Sequence, residues 1–259
     1  MAQALLFVTR CLDKNRAAYG CASCQLNRRS CDKRYKQMNP AQTPERFLEV
    51  TQLVDATGLM VLGGLHPEET DLVPTGCKTL ILLGPKDQHF WPIFAKSPEK
   101  ADGAPDPLDR WSERVVSDLA KKLSAQPVFP FGGPPYAPFY SWALRCGNIF
   151  SSPIRLLVHQ QMGLYVSFRG ALALPWHLDL PQSGPSPCIG CSAPCQSACP
   201  VEAFENRAYD VAGCRAHING PDSSSCRSTG CAARRACPIS KNAARPHAQS
   251  AFHMKTFAN

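Results

Sequence analysis

Near its carboxyl end the chain reads CIGCSAPCQSACP, which places Cys188, Cys191, Cys195 and Cys199 within twelve residues and Pro200 behind the last of them. Cys214, Cys226, Cys231 and Cys237 follow, and Pro238 again closes the set. Eight thiols in so short a stretch constrain the backbone more than anything else in the sequence. They ask for a disulfide staple, a zinc knot or an iron–sulfur cradle.

Compartment and size bear on that choice. No stretch approaches the roughly 20 apolar residues needed to cross a bilayer. The opening MAQALLFVTRCLDKNR lacks a basic start followed by a long apolar run, so the expected location is cytoplasmic. Disulfides there are usually transient. With 259 residues, 44% of them apolar, folding need not depend on cross-links.

Zinc asks for a tetrahedron of four ligands, commonly two short pairs separated by a longer loop. The run from Cys188 to Cys199 is instead one continuous wrap, which suits a cubane. Tight cysteine runs ending in Cys-Pro mark modules in which the fourth cysteine reaches across to a second cluster. The proline fixes φ and turns the chain away. The expectation is therefore two 4Fe-4S clusters. Cluster one takes Cys188, Cys191, Cys195 and Cys237; cluster two takes Cys199, Cys214, Cys226 and Cys231. Zinc, or a single cluster with spare thiols, stands as the alternative. Pro194 lengthens the first run by one residue. Arg234 stands where a cysteine would complete the second, with Cys226 in the role of a relocated ligand. Arg207, Arg215, Arg227, Arg234, Arg235, Lys241 and Arg245 lie close in sequence to these thiols. They read either as counter-charges or as solvated side chains.

Ahead of the cysteines, the sequence reads as a compact domain. TPERFLEVTQLVDATG offers Thr43 as an N-cap, Pro44 at the first helical position and Gly58 as a stop. LMVLGGL and TLILLG are apolar runs of strand length. DRWSERVVSDLAKKLSA is an amphipathic helix with Trp111, Val115, Leu119 and Leu123 on one face. A short helical run is expected near Tyr140, and residues 154–174 read as two strands turning near Gln161 to Gly163. The fold class is α+β: an α/β layered domain over 43–175 with room for a cofactor, then a small bacterial-ferredoxin-like iron–sulfur domain over 183–245. Residues 246–259 read as a tail.

Several stretches resemble the epoxyqueuosine reductase family and its cobalamin-dependent relatives, the reductive dehalogenases. YSWALRCGNIFSSPIRLLVHQQMGLYVSFRGALAL is similar to the segment before the family's clusters. CIGCSAPCQSACPVEAF is similar to its first cluster motif, AGCRAHI to the isolated cysteine, and GCAARRACPISKN to the closing run. The resemblance implies a cobalamin, or less favourably a flavin, in the first domain, refilled with electrons through the clusters. The family's acidic proton donor has no counterpart, because GGPPYAPFYSW holds no Asp or Glu. Tyr136 and Tyr140 are poor substitutes at an ordinary pKa near 10, and the catalytic residues stay unassigned.

The net charge of +8 is uneven, since residues 1–40 carry eight Lys and Arg against Asp13 and Asp32. Within this basic extension Cys11, Cys21, Cys24 and Cys31 offer a zinc corner, a redox dithiol or no site at all, and an extension without fixed structure is the preferred reading. Cys77 and Cys146 read as inert buried thiols. His66, His89, His159 and His177 are scattered through the middle and read as surface or packing residues. The nearly neutral remainder argues against a broad nucleic-acid surface. An iron–sulfur oxidoreductase passing electrons to a corrinoid is the leading expectation, and a ferredoxin-like carrier is the alternative. Either would need a redox donor or acceptor protein and no membrane.

Overall fold

The computed structural model describes residues 42–182, 184–205, 208–221 and 224–258. Cys11, Cys21, Cys24, Cys31 and Arg207, together with the basic extension over 1–40, lie outside the described residues. The chain divides into two units, Met1–Gln42 and Thr43–Asn259. The elements below build the second.

Helix α1 (Gln42–Asp55) starts one residue before the expected cap. Gly58 then turns the chain at φ +83, and a Cβ there would press on Ile93 Cδ1 at 2.9 Å. Glycine is therefore required twice over, by backbone sterics and by space. Strands β1 (Leu59–Leu65) and β2 (Thr79–Pro85) pair antiparallel, with a register irregularity between Val61 and Gly63. Helices α2 (Asp87–Ala95), α3 (Pro98–Ala101) and α4 (Pro107–Lys122) follow, then the short β3 (Gln126–Val128). Beyond α5 (Phe139–Arg145), strands β4 (Ile149–Ser151) and β5 (Leu157–His159) form a separate two-stranded sheet. Strand β6 (Gly170–Leu174) returns to the first sheet, whose order is β1-β2-β6-β3, antiparallel throughout.

The alternation of side chains explains why β2 reads as an unbroken apolar run. Ile81 and Leu83 point into one core with Val50 and Val54 of α1, Phe90 and Phe94 of α2, and Trp111 and Leu119 of α4. Leu80 and Leu82 point into another, with Phe139, Trp142 and Ala143 of α5 and Ile149 of β4. All four β2 side chains are fully buried, each contributing about 1.5–3 kcal/mol relative to exposure. Helices thus cover both faces of this sheet.

Residues 154–174 depart from the expected pair of adjoining strands. Only Leu157–His159 and Gly170–Leu174 are strands, and they belong to different sheets. Between them the backbone is committed elsewhere. Leu164 N donates to Ser240 Oγ at 2.8 Å, and Gly163, at φ +56, leaves no room for a Cβ against the Ser240 backbone.

The cysteine-rich stretch runs through turns into α6 (Val211–Asn219), α7 (Ser224–Thr229), α8 (Ala232–Ala236) and α9 (Pro238–Ala243). It does not separate as a second domain. Ile154, Val158 and Leu164 share one apolar cluster with Cys195, Ala233 and Cys237. Residues 246–258 also pack onto the fold. Helix α10 (His247–Ala258) sends Phe252 into the first core, 5.5 Å from Phe94 and 5.7 Å from Trp91 between ring centroids. Below it, Arg245 Nε meets Asp87 Oδ2 at 2.8 Å, while Gln249 Nε2 donates to Asp87 Oδ1 at 2.8 Å. The Asp87 side chain is fully enclosed and that of Arg245 nearly so. What results is a mixed α/β fold with two small sheets and no clear division at residues 175–183.

Candidate functional site

The eight late cysteines fall into two groups of four. Cys188, Cys191, Cys195 and Cys237 line one cavity of about 310 Å³, whose remaining wall includes Val158, Leu164 and Ile239. Successive turns deliver the first three thiols. Cys191 N donates to Cys188 O at 3.2 Å, and Gly190 and Ala193 take positive φ to keep the loop tight. Cys237 arrives from the junction of α8 and α9, where Pro238 opens α9. Burial pushes the Cys188 thiol up, and neighbouring Cys191 and Cys237 push it the same way. Burial likewise raises Cys195, with Cys237, Cys188 and Cys191 adding to the effect.

Cys199, Cys214, Cys226 and Cys231 make the second group. Cys214 rides on α6, capped by the Asp210 side chain accepting from Gly213 N at 2.9 Å. Cys226 lies on α7 and Cys231 caps α8. Burial raises Cys214, the Tyr209 hydroxyl donating to its Sγ at 3.4 Å opposes this, and Cys231, Cys199 and Cys226 raise it again. Cys226 is raised by burial and by its neighbours Cys231 and Cys199. All ten described cysteines, Cys77 and Cys146 included, are free thiols. Cys146 is buried in the second core and its thiol is pushed up to about 12 by burial, so it is inert at neutral pH.

These positions overturn the expected cofactors. A bound metal ion needs three or four donors within about 2–2.3 Å of one point. Among the described residues no group of three or more Cys, His, Asp or Glu side chains stands so placed that it could hold a metal ion. The assignment of Cys188, Cys191, Cys195 and Cys237 to one 4Fe-4S cluster, and of Cys199, Cys214, Cys226 and Cys231 to another, is corrected accordingly. Cys188, Cys191, Cys195 and Cys237 line a cavity wall, as do Cys214 and Cys231 of the second group. With the clusters go the metal-binding and electron-transfer reading, the ferredoxin-like carrier, and the supply of electrons to a cobalamin or flavin. No protein-family model, curated protein or solved structure matches the chain, so the likeness to epoxyqueuosine reductases and reductive dehalogenases is withdrawn as well.

The scattered histidines and tyrosines do not assemble a catalytic site. His66 stacks on His177 with ring centroids 4.0 Å apart and reaches Leu178 O at 3.0 Å. His159 is buried, accepts from Gln161 N and Met162 N at 3.1 Å each, and is held down to about 4 by burial. It is a neutral structural ring. Tyr136 and Tyr140 are exposed. No described helix is long and apolar enough to cross a membrane.

The basic residues near the thiols are mostly engaged by the fold. Arg227 holds Ile218 O and Gly220 O, Arg235 holds Gly230 O and Ser225 Oγ, and Arg215 holds Phe257 O. Arg234, which occupies the place of an expected cysteine, turns its Nη1 to Leu164 O. It borders a second cavity of about 240 Å³, walled also by Arg245, Ser167, His253, Tyr209 and Phe257. No motif pointed to this cavity, because α10 supplies one wall and the 165–167 loop another.

Proposed function

We propose that this chain is a thiol–disulfide redox protein of the cytoplasm, with Cys188, Cys191, Cys195 and Cys237 as one reactive set and Cys199, Cys214, Cys226 and Cys231 as the other. The observation that carries this reading is the gathering of eight free thiols into two groups, the first of which lines one cavity. Residues 43–175 act as the frame and 183–245 as the thiol-bearing region. The partner is a protein or small molecule carrying a disulfide.

The chemistry balances by exchange. One chain thiol, as thiolate, attacks the partner disulfide and releases one partner thiol. A second chain thiol of the same set then displaces the other partner thiol and closes an intrachain disulfide. Two electrons and two protons pass to the partner per bond closed.

The test is anaerobic isolation followed by titration across a defined thiol/disulfide buffer, with differential alkylation and peptide mass spectrometry. Disulfides should form within each set, up to two per set, and reopen on reduction. The reading is overturned if the thiols stay reduced at an oxidising poise, if bonds join the two sets indiscriminately, or if the isolated chain carries stoichiometric iron and acid-labile sulfide.

A further inference from the structure

The cavity beside the second thiol set is built with an excess of positive charge. Arg245 is matched by Asp87 at 2.8 Å and Arg169 by Asp109 at 3.2 Å. Arg234 has no carboxylate within ion-pair reach among the described residues, and its one hydrogen bond goes to the Leu164 carbonyl. It is half-buried, desolvation pulls its guanidinium below the usual range, and it forms part of the cavity wall. A charge so placed is destabilising unless something of opposite sign meets it.

Unsatisfied polar atoms lie around the same space. Ser167 Oγ and His253 Nε2, from two cavity-lining residues, are buried without a hydrogen-bond partner, and so is Arg169 Nε close by. Burial, reinforced by Arg245, Arg169 and Arg234, holds His253 down to about 3, so its ring is neutral and able to donate. The same cavity has flat walls. Phe204 and Tyr209 stack with centroids 4.8 Å apart, and Tyr209 and Phe257 lie nearly parallel at 6.2 Å.

We infer that this cavity binds a compact anion of the phosphate type, with Arg234 as its counter-charge, Ser167 and His253 as further donors, and Tyr209 and Phe257 receiving a small flat group attached to it. Guanidinium groups recognise phosphate oxygens by paired hydrogen bonds, and bound anion would satisfy the orphaned atoms. Cys214 and Cys231 line the same cavity, so the inference is stated for the reduced chain, in which both are thiols.

Thermal unfolding of the full reduced chain, held in excess reductant, tests it with inorganic phosphate and with phenyl phosphate, each against chloride at equal ionic strength. In the unaltered chain both should raise the midpoint saturably, phenyl phosphate at a concentration at least about tenfold lower. Arg234→Met should lose the response while unfolding no earlier than the parent in chloride, because it removes an unmatched charge. Arg234→Lys should keep a weakened response. A phosphate effect equal to that of chloride, or one that persists undiminished in Arg234→Met, overturns the inference. Stabilisation by phosphate but not by phenyl phosphate refutes the assignment of the flat group.

Discussion

Replacing Arg245 by Met removes the guanidinium that fastens the C-terminal segment to α2 and keeps most of the apolar stem. Three contacts disappear together: the ion pair with the fully enclosed Asp87, the hydrogen bond to Tyr165 O at 2.7 Å, and the stacking over the Tyr165 ring at 4.4 Å. Removing one member of a buried pair costs about 3–5 kcal/mol, mostly because the other charge stays buried alone. Against a typical total of about 5–15 kcal/mol, the variant should still fold at pH 8 but with a sharply lower urea midpoint. The pH dependence identifies the cause. Burial already raises the Asp87 carboxyl, against the opposing pull of Arg245. Without Arg245 it rises further. A carboxyl whose folded pKa exceeds its unfolded one loses stability as pH climbs through the folded value, so the deficit should be large at pH 8 and smaller at pH 5. Fluorescence of the buried Trp111 and Trp142 reports unfolding at both. Asp87→Leu combined with Arg245→Met should recover at least about 2 kcal/mol of the sum of the single losses. A deficit under about 1 kcal/mol at pH 8, a deficit equal at both pH values, or strictly additive singles would refute the reasoning.

Leu82→Ala, which empties a fully buried site between β2 and α5, should cost about 2–5 kcal/mol in urea unfolding, with unchanged secondary structure by circular dichroism. Gly58→Ala should cost at least about 1 kcal/mol, since it meets both a left-handed φ and the Ile93 methyl; a neutral result would mean the turn relaxes freely. His159 is buried neutral with its pKa near 4, below the ordinary 6.5. Its contribution, about 3 kcal/mol at most, is therefore present above pH 6.5 and lost as pH falls towards 4. Proton NMR of its ring should show no titration near pH 6.5.

What could be read in advance followed from local burial. The β1 and β2 runs were visible because helices cover both sheet faces, and α4 because its buried residues recur at helical spacing. Helix α2 was hidden by Pro92 in its interior and by aromatic residues on more than one side. Strand β3 was hidden by Pro127 and its length of three residues. Helix α10 carries no single apolar stripe, since Phe252 enters the first core while Phe257 turns to the Arg234 cavity. The late thiols were legible as a group because their spacing is local. What they surround was not, because Cys188–Pro200 is loop, and loop geometry depends on the β4–β5 sheet that it packs against. Nothing in spacing could reveal that Asp87 and Arg245, 158 residues apart, would find one another.

That separation has a consequence during synthesis. Asp87 emerges from the ribosome 162 residues before Gln249, an interval of roughly 8–30 s at common elongation rates. Throughout it, the nascent chain holds an unclosed acidic notch and the uncovered Trp91–Phe94 surface that Phe252 later caps. A helix made so much later thus completes the first core, and quality-control factors that recognise exposed aromatic surface have their opportunity before it arrives.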